Sequence, residues 1–387
     1  MKDSHQPSRL VVNMTLLLTV IFLSLPSWAT GNIVKSDLQG TWLIALRGNT
    51  GCGFVTMQVN VTLSASGLGL GTLETHGQCG NSTLTGQSFN VSSLAPNGSG
   101  SATLSCGPSC GWTFDIQVAS DRSKFNLVDV SNAGNFLEGT AVLSSPSGDI
   151  ATSDLTGGWQ VALYGVTGCG DSAVLATFTL PSSGTTTSAN LSGNSSGCGS
   201  SSSGGNTFQI QSLNASGSGT AFLSCGSGCG WNFDIQVSPD RSTFSLVDVT
   251  NPQNFLAGAA INNSTAAKVS LANLTGNWEL VLDGFVFPEN GFGTGSAFIT
   301  FTLNPSGKAT NASETLHTAI GNFSLTGQAF TIQSLNADGS GTATLTGCGE
   351  GGGSCTFVIQ VSPDRSTFNA VDISDSSSLW AGTAVHR

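Results

Sequence analysis

The feature that most constrains the fold is a sequence module that occurs three times in the chain. Each copy opens on nearly the same phrase, Asp/Asn-Leu-Thr/Gln-Gly-x-Trp, which ends at Trp42, Trp159 and Trp278. The spacing between successive opening Trp residues is a full domain length, longer than a solenoid repeat, so we expect three domains of one fold. Polar joins at 144–153 and 262–272 separate the copies. The predicted modules are therefore 30–148, 149–266 and 267–387.

Within each copy, short runs alternate apolar and polar residues and end at Gly, Asn, Asp or Pro. From Phe54 to Leu63, for example, Val and Met fall on one face while Thr, Gln and Asn fall on the other. The predicted strands of the first copy are Thr41–Arg47, Phe54–Leu63, Leu68–His76, Gln87–Leu94, Ser101–Ser105, Trp112–Val118, Lys124–Val130 and Phe136–Leu143. The sequence predicts an all-β fold with about eight strands in each module.

Consecutive strands with one apolar face leave exposed edges unless the sheet closes. An antiparallel up-and-down β-barrel of eight strands closes it, with room inside for side chains or one small ligand. The alternative is a β-sandwich of the immunoglobulin kind. The Cys…Trp…Cys spacing of that fold is missing and the connections have the character of hairpins. We therefore expect three tandem barrels, with tandem sandwiches as the alternative.

The openings Leu155–Trp159 and Leu274–Trp278 read Leu-Thr-Gly-x-Trp. They resemble the first strand of avidin-like and lipocalin-like (calycin) barrels, whose Gly-x-Trp closes the barrel floor. The resemblance is limited to this opening and implies the barrel architecture, with Trp42, Trp159 and Trp278 at the floor. It implies no ligand. The last strand lacks the Arg that lipocalins stack on this Trp, and no residues match the biotin pocket of avidins.

Residues 1–29 have the pattern of a secretory signal peptide. Lys2 and Arg9 precede an apolar core, Val11–Leu25, and a small-x-small cleavage site ends at Ala29. An uncleaved membrane anchor is the alternative, because the apolar run is long enough if it tilts. We expect cleavage, no membrane insertion after it, and a secreted or extracytoplasmic protein in the periplasm or at the cell surface.

The ten cysteines fit an oxidising compartment. The first two copies contain four each, and the third copy lacks the counterparts of the first two. Their joint loss indicates that these two cysteines are partners. The predicted disulfides are Cys52–Cys79, Cys169–Cys198, Cys106–Cys110, Cys225–Cys229 and Cys348–Cys355.

Composition argues against several classes of function. Only 9% of residues are charged, with 11 Lys and Arg against 22 Asp and Glu. A chain so poor in cations cannot build the positive surface that nucleic acid requires. No G-x-S-x-G, no His paired with a nucleophile in every copy and no Gly-rich loop between a strand and a helix occurs. Cys and His spacing does not match a zinc site. We expect a non-enzymatic protein with no cofactor and no metal.

A candidate site lies at one end of each barrel. In an up-and-down barrel, the loops after odd-numbered strands gather opposite the floor, and these loops hold the cysteines. Trp112 and Trp231 begin the sixth strand beside the short disulfide, while Asp129, Asp248 and Asp372 end the seventh strand and should point inward. These five residues form the predicted binding rim. The alternatives are an Asp that accepts hydrogen bonds from rim backbone and a Trp that covers the core.

Two further carboxylate sets have simpler interpretations. The repeated pairs Asp121-Arg122, Asp240-Arg241 and Asp364-Arg365 are interpreted as turn residues. Asp115 and Asp234 should face solvent, opposite in direction to Asp129 and Asp248.

The resulting hypothesis is an exported tandem-barrel protein. It binds a small molecule or a surface partner at the barrel rims that hold the disulfides. Three tandem copies would raise avidity without new contacts. The alternative is an inert structural component of the cell envelope.

Overall fold

The computed structural model describes residues 32–51, 53–107, 110–131, 136–226, 228–249, 254–263, 268–286, 293–318, 321–348, 353–372 and 378–387. They form three closed antiparallel barrels of eight strands each, in tandem and with up-and-down order. The barrel prediction is confirmed over the sandwich alternative. The predicted leader, residues 1–29, and Cys52 lie outside the described residues.

Each barrel is closed by pairing of its first and last strands. Barrel one contains β1 Gly40–Thr50, β2 Gly53–Leu63, β3 Leu68–Gly77, β4 Gly80–Leu94, β5 Ser99–Gly107, β6 Cys110–Val118, β7 Lys124–Asp129 and β8 Phe136–Leu143. Barrel two contains β9 Gly157–Thr167, β10 Gly170–Leu180, β11 Thr185–Ser195, β12 Gly199–Leu213, β13 Ser218–Gly226, β14 Cys229–Val237, β15 Thr243–Asp248 and β16 Phe255–Asn263. Barrel three contains β17 Gly276–Val286, β18 Gly293–Leu303, β19 Lys308–Thr318, β20 Gly321–Leu335, β21 Ser340–Thr346, β22 Ser354–Val361, β23 Thr367–Asp372 and β24 Ser378–His386.

The alternating pattern fixes which side chains enter each barrel. In barrel one, Trp42 lies opposite Val61 and Ile44 lies opposite Val59, so the apolar sets of β1 and β2 share the inner face. The fourth strand is longer than its pattern predicts, because β4 already pairs with β3 from Gly80 and passes through a register shift. Its first four residues, Gly80–Thr83, are polar or Gly on both faces, so alternation gives no strand signal there.

The floor of each barrel is closed by its opening Trp. A short 3-10 helix precedes the first strand of each barrel (Lys35–Leu38, Thr152–Leu155 and Leu271–Leu274). The Trp42 Nε1–H donates to the Leu38 carbonyl at 2.7 Å, and Trp159 and Trp278 repeat this bond to Leu155 and Leu274. All three indoles are fully buried and satisfied, in the floor position that the calycin resemblance implies.

The three barrels pack around a pseudo-threefold axis. Residues at equivalent positions of different barrels meet there, since the carboxylates of Asp121, Asp240 and Asp364 lie within 4.8 Å of one another. The Asn126 amide of barrel one donates to the Thr383 carbonyl of barrel three at 2.8 Å. The outward faces of the seventh and eighth strands are therefore covered by neighbouring barrels. Within the described ranges, no helix is long and apolar enough to cross a membrane.

Candidate functional site

The mouth of barrel one contains a cavity of about 530 Å³. Its apolar wall consists of Val55, Met57, Leu73, Leu84 and Trp112. Polar groups lie at its entrance: Thr50, Thr75, Asn81 and Ser82. A volume of 300–1,000 Å³ with an apolar wall and a few polar groups is typical of small-molecule sites. The predicted rim of barrel one, where the disulfides lie, therefore surrounds a cavity of the size of a small-molecule site.

Disulfides border this cavity. Cys79, Cys106 and Cys110 all contribute to its lining. The bond Cys106–Cys110 forms as predicted across the turn between β5 and β6. Cys79 is also disulfide-bonded; its predicted partner, Cys52, lies outside the described residues, so that pairing stays a prediction. The predicted bonds Cys169–Cys198, Cys225–Cys229 and Cys348–Cys355 are present.

Trp112 is the aromatic wall of the cavity. It lies on β6 opposite Leu104 of β5, points inward and is 8% exposed. Its counterpart in barrel two, Trp231, lies opposite Leu223 and is equally buried. Both indoles cover the core below them, and the indole of Trp112 also faces the enclosed space.

Asp129 points inward but does not reach the cavity. It lies opposite Phe114, a core residue, which agrees with its predicted inward direction. Asp129 Oδ1 accepts hydrogen bonds from the backbone N–H of Ser131 at 2.8 Å and from the Ser131 hydroxyl. Burial raises its pKa to about 6, although the Ser131 bonds act in the opposite direction. The cavity lining comes from β1 to β6 and does not include Asp129, which supports its role as an acceptor for rim backbone.

The other two rim carboxylates occupy the same inward position. Asp248 lies opposite Phe233 and Asp372 lies opposite Phe357, and both are buried. The Ser378 hydroxyl donates to Asp372 at 2.8 Å. In barrel three this bond joins the end of β23 to the start of β24.

The outward position of Asp234 predicts that it faces solvent, and this prediction is wrong. It is only partly exposed and lines a groove between barrel two and barrel one. Asp115 is exposed, as predicted. Alternation identifies the outer face of a strand, but it does not report that a second barrel covers that face.

The Asp-Arg pairs are turn residues with a second role. Arg122, Arg241 and Arg365 adopt the left-handed conformation, with φ of 61°, 60° and 64°. The three neighbouring carboxylates converge on the axis around Lys124, which comes from barrel one alone. Lys124 Nζ lies 3.4 Å from Asp121 and 3.7 Å from both Asp240 and Asp364. Burial lowers the pKa of Lys124, but the three carboxylates outweigh it and raise that pKa above its ordinary value.

A second charged cluster lies on the axis nearer the rim. The Arg47 guanidinium donates to the carbonyls of Ala257 in barrel two and Ala381 in barrel three, the latter at 2.7 Å. It also pairs with Glu138 and lies 3.6 Å from Asp283 of barrel three. Neither cluster was predicted from the sequence. One signal was that Lys124 and Arg47 stand where copy two has Thr243 and Tyr164 and copy three has Thr367 and Asp283.

Comparisons with known proteins assign no family to the chain. No protein-family model and no curated protein matches the chain. Among solved structures, it is similar to a variant of transferrin-binding protein B from Haemophilus parasuis Hp5, at 11% identity and a TM-score of 0.28, covering 87% of this chain and 67% of that one. Isotype 1 of that protein from serogroup B Neisseria meningitidis matches at 8% identity and a TM-score of 0.27, covering 87% and 64%. A structure of CghA matches at 10% and 0.23, covering 89% and 87%.

Proposed function

We propose that this protein is an exported, non-enzymatic binding protein whose first barrel holds a small, largely apolar molecule at its disulfide-bordered mouth. The observation that carries the proposal is the cavity of about 530 Å³ with an apolar wall. Export is supported by the predicted leader and by disulfides in all three barrels, since disulfides persist in oxidising compartments.

The wall of the cavity favours an apolar ligand. Val55, Met57, Leu73 and Trp112 offer dispersion contacts and one aromatic surface but no charge. Hydrogen-bonding groups are confined to the entrance, where Asn81 and Ser82 would orient a polar end of the ligand. The disulfides fix the loops around the entrance, so less order must be gained on binding.

A neutral apolar fluorophore tests the proposal. N-phenyl-1-naphthylamine should bind the full-length protein saturably at one site, with enhanced fluorescence. Thr75 lies at the entrance, and Thr75→Trp should fill the cavity and weaken binding about tenfold or more, since a ligand that loses several buried methylenes loses at least ~1.4 kcal/mol.

The matched control is Thr103→Trp, which adds the same side chain at an exposed outward position of β5. This variant should bind the fluorophore as the wild type does. The absence of saturable binding, or equal binding by Thr75→Trp, would contradict the proposal and favour the structural envelope role.

A further inference from the structure

A second candidate site lies between barrels one and two, away from the rim cavity. Two adjoining cavities of about 380 and 330 Å³ share Gln58 and Asn60 of β2. The larger one has apolar wall from Leu43 and Leu213, with hydroxyl and amide groups around it. Together they form an elongated groove that is partly apolar and partly polar.

Two carboxylates face this groove. Asp234 of barrel two lines the larger cavity and Glu74 of barrel one lines the smaller. They are close enough to repel: burial first, and then the charge of Glu74, raise the pKa of Asp234 to about 6. In the part of the chain that the structure describes, neither carboxylate has a Lys, Arg or His nitrogen within 4.0 Å.

Neighbouring groups leave this negative charge uncompensated. Burial lowers the pKa of His76, on the same strand as Glu74, so its imidazole is neutral at pH 7. The Gln58 side-chain oxygen is buried and, among the described residues, accepts no hydrogen bond. An unsatisfied buried acceptor beside two carboxylates calls for a hydrogen-bond donor with positive charge.

The pseudo-threefold repeat supplies two equivalent interfaces for comparison. Between barrels one and three, Asp115 takes the place of Asp234, and the chain provides a cation of its own, because Arg387 pairs with Glu279 at 2.8 Å. His317 also lies near Asp115, but burial lowers the pKa of its imidazole as it does for His76. Between barrels three and two, Val358 takes that place and packs into an apolar cluster that includes Leu175, the counterpart of Gln58.

The three equivalent interfaces therefore differ in polarity and in how their charges are paired. One is apolar, one contains carboxylates with a cation from the chain, Arg387, and one contains carboxylates with no such cation among the described residues. We infer that the groove between barrels one and two binds a small aliphatic amine, with its ammonium group between Glu74 and Asp234.

The chemistry of the groove favours an organic cation over a bare metal ion. An ammonium has three donors, which match two carboxylates and the Gln58 oxygen. The aliphatic part of the ligand would lie against Leu43 and Leu213. Calcium takes six to eight oxygen ligands and would make no use of the aliphatic wall that Leu43 and Leu213 form.

Calorimetric titration of the full-length protein with 1,5-diaminopentane at pH 7.5 tests the inference. Saturable binding should weaken about tenfold or more in Asp234→Asn and in Glu74→Gln, because each loses one charge-assisted hydrogen bond. Asp115→Asn changes the equivalent residue of the interface with an internal cation and should bind as the wild type does. The neutral probe 1-pentanol should bind far more weakly.

Acid should also weaken binding, with a midpoint near pH 6, as Asp234 takes up a proton. Titration with calcium chloride alone separates the two sources of positive charge. Saturable calcium binding that Asp234→Asn abolishes, no saturable binding of diaminopentane, or unchanged amine affinity in Asp234→Asn would each overturn the inference. The Thr75→Trp variant should still bind the amine, so failure of the rim proposal and failure of this one are distinguishable.

Discussion

Lys124 joins the floor ends of the three barrels electrostatically, since it pairs with a carboxylate of each barrel. Its side chain is fully buried, whereas the three carboxylates around it retain 16–33% exposure. Removal of one partner from a buried ion cluster leaves uncompensated charge, and this is costly even where the pair itself contributes little. The three carboxylates therefore offset the desolvation of Lys124, and Lys124 offsets their mutual repulsion.

Lys124→Met should lower the free energy of unfolding at pH 7 by about 3 kcal/mol. The deficit should shrink below pH 4, because protonated carboxyls no longer repel one another. Urea unfolding at both pH values measures it. Lys308→Met, at an exposed position, is the control and should change stability by less than about 0.5 kcal/mol. Equal effects of the two variants would refute a structural role for Lys124.

Asp129 should make stability depend on pH in the opposite sense to a salt-bridged acid. Its pKa rises from an ordinary 3.8 to about 6 on folding. Between these values the native state binds more protons than the unfolded state, so stability decreases as pH rises from 4 to 6. Asp129→Asn should remove this contribution, since the amide oxygen can still accept the Ser131 bonds.

Comparison of urea midpoints at pH 4.5 and 7.5 in wild type and Asp129→Asn measures that contribution. The variant should lose less stability over this range than the wild type. An identical loss in both proteins would show that Asp129 does not titrate differently in the folded state.

At the scale of elements, the long disulfides should contribute more than the short ones. In barrel two, Cys169–Cys198 closes 29 residues of sequence separation and Cys225–Cys229 closes 4. Chain-entropy arguments give about 3.5 kcal/mol for the first and about 2 kcal/mol for the second. Serine replacement of each pair, followed by urea unfolding, should reproduce that order. A larger loss on removal of Cys225–Cys229 would contradict it.

The strands and their inner faces could be predicted because alternation and turns are local signals. The inward direction of Asp129 followed from counting residues across the Ser-Asp-Arg-Ser turn. The long β4 was only half predicted, since its first residues are polar on both faces. The rim cavity could not be predicted, because the volume left inside a barrel depends on how all the inner side chains pack.

At the scale of the whole molecule, the unpredicted feature is the packing of the barrels on one another. Outward positions such as Lys124, Asn126 and Arg47 alternate as solvent-facing residues would, yet all three are buried against other barrels. The apolar outer faces of β16 and β24 were the available signal: Ala257 and Ala381 are small, as close approach at the axis requires.

This packing gives each barrel a different environment although the modules repeat. Arg47 binds carbonyl groups of both other barrels, so the three barrels should respond to mutation as one unit. The proposed ligands follow from the differences between copies. The rim cavity belongs to barrel one, and the groove without internal cations lies between barrels one and two.

The most direct test of the central claim is native mass spectrometry of the exported protein, purified without denaturation. We expect a wild-type mass that exceeds the disulfide-bonded polypeptide by one small, largely apolar molecule. That excess should be absent from Thr75→Trp and present in Thr103→Trp. The bare polypeptide mass in the wild type and in both variants, even after incubation with an excess of N-phenyl-1-naphthylamine, would contradict a binding function for the rim of barrel one.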